Sequence, residues 1–150
     1  MDLDKSVILA VKNFTHQLHR YMTAKKEDII AKVKEFATVT EIQGRIINYL
    51  YESKGPEPIY QKDLEKQFNI RRSTATIILK RMEKSGLVVR RISRTDARMK
   101  ELILTEKAKI LHPVAKAEFL KAEKNAVKGL TEKEIESFLQ IVEKITRNIS

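Results

Sequence analysis

Residues 61–105 read QKDLEKQFNIRRSTATIILKRMEKSGLVVRRISRTDARMKELILT, and this stretch decides the fold. Leu64 and Phe68 lie four residues apart, which places them on one face of a helix from Gln61 to Phe68. Asn69 tolerates the left-handed backbone conformation that closes a helix. A short amphipathic helix followed by a tight turn is therefore expected.

A second helix follows the turn. Ser73 is a residue type that caps helices, and Gly86 is the type that ends them. The i, i+3, i+4, i+7 pattern predicts one buried face made of Ala75, Ile78, Leu79 and Met82. The opposite face then carries Ser73, Ile77, Lys80 and Lys84, with Thr74 and Thr76 at its flanks.

A hairpin completes the stretch. Residues 87–92 and 100–104 are rich in apolar and β-branched side chains, which predicts two strands. Residues 93–97, SRTDA, form the turn between them. The order helix, turn, helix, hairpin with a basic tip is that of a helix-turn-helix with a wing.

Positive charge is concentrated in the same region. Residues 71–100 hold ten Lys or Arg against two acidic residues, Glu83 and Asp96, so they carry +8 of the chain's net +10. A folded core does not need such a concentration of like charge. A polyphosphate partner does, which predicts binding to double-stranded DNA.

Helices are expected on both sides of this region. Leu3, Val7, Val11, Phe14, Leu18 and Tyr21 repeat at helical spacing, and residues 23–38 are expected to be helical as well. Thr40 with Gln43 predicts a capped helix that ends before the loop at 54–58. A long helix from Thr105 is expected to bend near Pro113 and to end at Gly129. Thr131 with Glu134 caps a last helix, with an apolar seam of Ile135, Phe138, Val142, Ile145 and Ile149.

The expected fold class is therefore mainly α with a small β wing. Residues 1–38 form an N-terminal helical dimerisation segment, residues 39–104 the winged helix-turn-helix, and residues 105–150 the C-terminal dimerisation helices. The apolar stripes near the two termini pack either on a second copy or within one chain. The predicted dimerisation residues are Val7, Val11, Phe14, Ile135, Phe138, Val142 and Ile145.

Several functional classes find no support in the sequence. The chain has no cysteine, no visible signal peptide and no apolar run of membrane-spanning length, so a cytoplasmic protein without a membrane partner is expected. His16 and His19 are spaced like a metal pair but lack a clear carboxylate partner, so no metal and no cofactor are expected. His112 is expected to be a local packing or surface residue. No enzyme motif is present.

The residues quoted above carry a family resemblance. The runs TEIQGRIINYL from Thr40, STAT and EKSGLV around the second helix, and RTDARMKELILTEKA across the wing resemble the MarR family of winged helix-turn-helix transcriptional regulators. Val39-Thr40 and Lys107-Ala108 are small departures from that family pattern. The resemblance implies a homodimer on a palindromic operator, probed by recognition helices in successive major grooves and by wings in flanking minor grooves.

On that basis each side chain has an expected role. Ser73, Thr74 and Thr76 are expected to touch phosphates or base edges near a helix N-terminus, and Lys80 a guanine or a phosphate. Ile77 contacts a thymine methyl or is an incidental exposed aliphatic. Arg71, Arg72, Arg90 and Arg91 are phosphate ligands or solvated surface charges.

The wing residues have distinct expected roles. Arg94 at the tip is expected to enter a narrow minor groove, whose negative potential attracts a guanidinium. Asp96 is expected to organise the wing by pairing with Arg98 or by capping the turn, because DNA would repel its carboxylate. Arg98 is expected to contact DNA as well as Asp96.

The expected function is sequence-specific, repressive transcriptional regulation. The resemblance also implies release by a small lipophilic or aromatic effector in a pocket near Leu18, Tyr21, Ile46 and Leu50, although these side chains equally suit a plain core. The alternatives are a nonspecific architectural DNA-binding protein and a winged helix used for protein contacts.

Overall fold

The computed structural model describes residues 5–53 and 55–150, so Leu3 and Lys54 lie outside the described residues. Six α-helices and two strands occupy the described ranges. They are α1 (Val7–Lys32), α2 (Glu41–Glu52), α3 (Gln61–Gln67), α4 (Arg72–Lys84), β1 (Val88–Ile92), β2 (Lys100–Leu104), α5 (Glu106–Ala126) and α6 (Glu132–Ile149), with a 3-10 helix (Lys34–Thr38) between α1 and α2. The expected fold class, mainly α with a small β wing, is confirmed.

Both predicted capping boxes form. At the start of α2 the Thr40 amide donates to Gln43 Oε1 at 2.9 Å, and the Gln43 amide donates to Thr40 Oγ1 at 3.4 Å. At the start of α6 the Glu134 carboxylate accepts from the Thr131 amide at 2.7 Å, while the Glu134 amide donates to Thr131 Oγ1 at 3.2 Å. Each box satisfies amides that the first turn of a helix leaves unpaired.

The predicted cap of α4 is wrong. Asn69 turns the chain with φ 49°, and the Ile70 amide donates to the Glu65 carbonyl at 3.1 Å, so the chain leaves α3 within three residues. Arg71 is then the extended residue before α4, with φ −70° and ψ 152°, and the helix begins at Arg72. Ser73 therefore lies inside the first turn, where it cannot act as the N-cap.

The hydrophobic core lies between α2, α3, α4, the hairpin and the start of α5. Leu64, Leu79 and Met82 have no exposed surface. On the predicted buried face of α4, Ala75, Leu79 and Met82 are buried and Ile78 packs partly against the core. This burial leaves the opposite face of α4 to solvent.

The two strands pair antiparallel from Val88 opposite Leu104 to Ile92 opposite Lys100. The outer edge of β2 is joined by the segment before α3, because the Leu102 amide donates to the Ile59 carbonyl at 2.8 Å. β2 is thus hydrogen-bonded on one edge to β1 and on the other to the segment before α3.

The chain divides into two compact units, one reaching Glu118 and one from Phe119 to Ser150. The first contains the helix-turn-helix and the wing, and the second contains the end of α5 and all of α6. The predicted segment boundaries at 38 and 104 remain predictions. α5 continues through Pro113, and Gly129 adopts φ 87° beyond its end. In residues 5–53 and 55–150, no helix has the length and apolar character needed to cross a bilayer.

His112 of α5 is buried against α2. Its Nε2 lies 2.9 Å from Asn48 Oδ1, and its ring stacks on Tyr51 with centroids 3.9 Å apart. Its Nδ1 is buried without a partner among the described residues. Burial lowers the pKa of His112. The Glu52 carboxylate, 3.7 Å from Nε2, raises it, and the Lys116 ammonium lowers it further.

This burial makes folding stability depend on pH. Because the folded-state pKa of His112 lies below the ordinary value of about 6.5, the unfolded chain takes up a proton first as the pH falls. The contribution of neutral His112 is therefore complete above about pH 6.5 and decreases below it. Urea unfolding between pH 7.5 and 5.5 should show a smaller loss of stability in His112→Gln than in the native chain.

His16→Gln, on the exposed part of α1, is the matched control and should keep the native pH dependence. Equal pH dependence in His112→Gln and the native chain would contradict the assignment to His112.

Candidate nucleic-acid interface

The N-terminus of α4 is exposed and lacks a side-chain cap. Arg71 makes no capping hydrogen bond, so the first-turn amides of α4 have no side-chain acceptor among the described residues. Arg71, Arg72, Ser73 and Thr74 are all exposed. Unpaired amides at the positive end of a helix attract anions, and a phosphate supplies the acceptors that the protein does not.

The exposed face of α4 continues from this terminus. Ile77 is 51% exposed, and Lys80 lies one turn further along the same face. Both side chains are exposed on this face. Thymine contact by Ile77 remains a prediction.

The Thr76 hydroxyl is engaged within the protein. Thr76 Oγ1 donates to the Arg72 carbonyl at 2.9 Å and accepts from Gln61 Nε2 at 3.0 Å. Gln61 Nε2 also lies 3.1 Å from Glu65 Oε1. The pair Gln61 and Thr76 therefore holds α3 against α4, and a contact of Thr76 with DNA remains a prediction.

Arg90 of β1 is half-buried and forms an ion pair with Glu83 of α4. Its Nη2 lies 2.5 Å from Glu83 Oε2 of α4. The hydrogen bond from Arg90 lowers the pKa of Glu83, and the same bond raises the pKa of Arg90. The guanidinium thus joins β1 to α4. Arg91 is exposed and pairs across the hairpin with Glu101 at 3.0 Å.

Asp96 organises contacts at the wing tip. Its Oδ1 accepts from the Arg98 amide at 3.0 Å and lies 3.6 Å from Arg98 Nε. Its carbonyl accepts from the Met99 amide at 3.0 Å. The Arg98 side chain is 95% exposed despite this pairing, and Arg94 is exposed at the tip. The wing-organising role of Asp96 remains a prediction.

Sequence reasoning missed Ser93 and Tyr60. Ser93 is only 6% exposed, and its Oγ lies 2.8 Å from the Tyr60 hydroxyl. The same oxygen accepts from the amides of Thr95 and Asp96 at 3.2 and 3.4 Å. A serine that bonds amides two and three residues ahead is readable as a turn signal. Its partner Tyr60 lies 33 residues earlier, so the sequence gives no local indication of that contact.

The predicted dimerisation residues lie on two separate units. On α1, Val7, Val11 and Phe14 are 57, 48 and 53% exposed. On α6, Phe138 and Val142 are 49 and 43% exposed, while Ile135 and Ile145 are half-buried. Both helices therefore present apolar side chains to solvent.

The predicted effector residues are not equivalent. Ile46 is 1% exposed within the core, and Leu50 packs against the core and lines a cleft of about 350 Å³ together with Ile59 and Leu102. Leu18 is 38% exposed on α1, and Tyr21 is half-buried one turn later. Within the described part of the chain, no three His, Cys, Asp or Glu side chains are grouped to hold a metal ion.

Comparisons with known proteins agree with this geometry. A model of the MarR family matches residues 37–99. The HTH-type transcriptional regulator YybA of Bacillus subtilis is 26% identical over 130 residues, covering 85% of this chain and 84% of that protein.

Solved structures agree over most of the chain. The transcription regulator MarR of Oenococcus oeni PSU-1 is 28% identical with a TM-score of 0.72, covering 91% of this chain and 98% of that one. MepR of S. aureus, solved in complex with DNA, is 21% identical with a TM-score of 0.78, covering 98% and 99%.

The family match covers the helix-turn-helix and most of the wing, including both α4 and Asp96. The structural agreement extends to the helices on either side. Members of this family are transcription regulators rather than enzymes, and the exposed basic face of α4 and the wing fits that role. Residues 37–99 of this chain match the MarR family of DNA-binding transcriptional regulators, and the chain is similar over most of its length to solved regulators of that type.

Proposed function

We propose that this chain acts as a homodimer that binds a palindromic operator and represses transcription. The observation that carries the proposal is the exposed N-terminus of α4, which lacks a side-chain cap and is flanked by Arg71 and Arg72. A phosphate placed there accepts hydrogen bonds from the amides and pairs with two guanidinium groups. This contact fixes the position of α4 in the major groove, where Ile77 and Lys80 lie next to base edges.

The wing extends the same surface. Arg94 and Arg98 project from a turn that Asp96 holds, so the cations are presented while the one carboxylate of the tip is engaged. A guanidinium inserted into a narrow minor groove gains from the negative potential there. Recognition by α4 and recognition by the wing therefore support each other.

Exposed apolar side chains support a dimer. Val7, Val11 and Phe14 follow one helical face of α1, and Phe138 and Val142 follow one face of α6. Each Å² of apolar surface removed from water contributes about 25 cal/mol. A second copy covers both surfaces and places two α4 helices about 34 Å apart, one turn of B-DNA. Repression follows because a dimer held on its operator occludes that DNA.

Release by a small lipophilic or aromatic effector is part of the proposal. A modest rotation of each winged unit changes the separation of the two α4 helices and prevents simultaneous docking. Leu18 is exposed and Tyr21 and Leu50 are partly buried, so these three can contact such a ligand, whereas Ile46 must first leave the core. By linkage, an effector must bind more weakly to the operator-bound protein.

Sequence specificity is the first testable consequence. Operators selected from random DNA should compete for the protein about 10³-fold better than unselected DNA of equal length at fixed salt. Competition measured by fluorescence anisotropy gives this ratio. Failure to enrich any sequence, with equal competition by all DNA, would instead support a nonspecific architectural protein.

Salt dependence separates phosphate ligands from internal ion pairs. Arg72→Ala should weaken binding and reduce the log–log salt slope by about 0.9, because one counterion fewer is released. Arg90→Ala should weaken binding with an unchanged slope, because its guanidinium pairs with Glu83.

Glu83→Gln is the matched control, since it breaks the same pair while keeping the cation. It should behave like Arg90→Ala. A slope reduced by about 0.9 in Arg90→Ala alone would place Arg90 on a phosphate.

The dimer interface is tested on α6. Val142→Asp should dissociate the dimer and abolish operator binding, because a carboxylate within an apolar interface costs on the order of several kcal/mol. Analytical ultracentrifugation measures the association. Gln140→Asp adds the same charge on the opposite face of α6 and should leave the dimer intact. A folded Val142→Asp variant that remains dimeric would show that this face lies outside the interface.

A further inference from the structure

The wing tip is tied to the start of α3 by a side-chain contact. The Tyr60 hydroxyl lies 2.8 Å from Ser93 Oγ, and Ser93 is the first residue after β1. Strand pairing ends at Ile92 and Lys100, so residues 93–99 are outside the ladder. Contacts of the turn itself therefore decide where Arg94 and Arg98 are presented.

Tyr60 is a fixed point from which to hold the turn. Its amide donates to Asp63 Oδ2 at 2.8 Å, and its carbonyl accepts from the Asp63 amide at 3.0 Å. It also forms a β-bridge with Glu101 of β2. The backbone of Tyr60 is thus bonded to both α3 and β2. These contacts on two sides fix the position from which its ring projects.

The hydrogen-bond inventory of Ser93 makes the contact specific. A serine hydroxyl has one hydrogen and two lone pairs. The amides of Thr95 and Asp96 donate to Ser93 Oγ, which also exchanges hydrogen bonds with the Tyr60 hydroxyl at 2.8 Å and with Thr95 Oγ1 at 3.0 Å. Ser93 is 6% exposed, so water has little access to replace Tyr60.

The same turn connects Ser93 to the DNA-facing cations. The Ser93 amide donates to the Met99 carbonyl at 2.9 Å, and the Met99 amide donates to the Asp96 carbonyl at 3.0 Å. Asp96 in turn holds Arg98. Arg94 directly follows Ser93, so a shift of the Ser93 oxygen moves the backbone from which Arg94 projects.

We propose that Tyr60 is a positioning residue for DNA binding, whose hydroxyl anchors the wing tip through Ser93 and thereby directs Arg94 into the minor groove. The inference rests on the proposed function, in which Arg94 contacts DNA. Tyr60 itself does not contact DNA. A wing that is already ordered before binding loses less conformational entropy when it docks on DNA. The contribution of Arg94 to DNA affinity is therefore larger when the hydrogen bond between Tyr60 and Ser93 is intact.

Tyr60→Phe removes only the hydroxyl, and Tyr49→Phe is the matched control. Tyr49 is another partly buried tyrosine of the same unit, whose ring packs edge-on against Phe68. Hydrogen exchange without DNA is the first readout. The amides of residues 95–99 should exchange faster in Tyr60→Phe than in the native chain, and at the native rate in Tyr49→Phe. Unchanged exchange in Tyr60→Phe would overturn the anchoring role.

A double-mutant cycle on operator affinity is the second readout. Tyr60→Phe should weaken binding about three- to tenfold, the range expected for one lost hydrogen bond. Arg94→Ala should cost clearly less in the Tyr60→Phe background than in the native one, since the unanchored wing no longer directs Arg94. The slope of log affinity against log salt concentration should show the same coupling. Arg94→Ala should reduce that slope by about 0.9 only when Tyr60 is present.

The outcomes separate the two proposals. An equal cost of Arg94→Ala in both backgrounds would overturn the positioning role of Tyr60 and leave the DNA contact of Arg94 standing. No cost of Arg94→Ala in either background would overturn the wing contact, and the inference with it. Thermal unfolding of each variant confirms that affinities are compared between folded proteins.

Discussion

The burial of one face of α4 is the constraint on which the rest of the structure depends. Leu79 and Met82 are completely buried between α2, α3 and the hairpin, so α4 cannot rotate without losing that apolar contact. Its opposite face, with Ile77 and Lys80, is therefore directed to solvent in a fixed orientation. The N-terminus of the same helix is exposed by the short turn after α3, which leaves no residue in place to cap it. One packing arrangement thus produces both the reading face and the anion site.

Polar contacts at the periphery then fix what the core leaves adjustable. The ion pair between Arg90 and Glu83 joins β1 to α4, the bond between Tyr60 and Ser93 joins the wing tip to α3, and Asp96 holds the turn. A stretch with a net charge of +8 repels itself, and a two-stranded hairpin is marginal alone. These three contacts keep the repelling cations of the wing on one surface, which is the arrangement that a polyanion stabilises on binding.

Local and periodic features were predictable from the sequence, whereas contacts distant along the chain were not. Thr40 with Gln43 identifies its capping box within four residues, and the buried face of α4 follows from helical spacing. Ser73 was assigned as a cap from residue type alone, but the geometry after Asn69 moved the helix start to Arg72. His112 pairs with Asn48 across 64 residues and Tyr60 with Ser93 across 33, so neither pair leaves a local signal. The sequence alone does not distinguish Arg90 from the other surface cations, because its pairing with Glu83 becomes visible only in the structure.

Under the proposed function, the uncapped N-terminus of α4 docks on a DNA phosphate. Titration of the protein with a selected operator, followed by amide chemical shifts, tests it most directly. The amides of Arg72, Ser73 and Thr74 should shift strongly, together with those of the wing tip around Arg94, while the amides on the exposed face of α6 around Gln140 should remain unchanged. Saturating operator binding with no change at the amides of Arg72, Ser73 and Thr74 would contradict it.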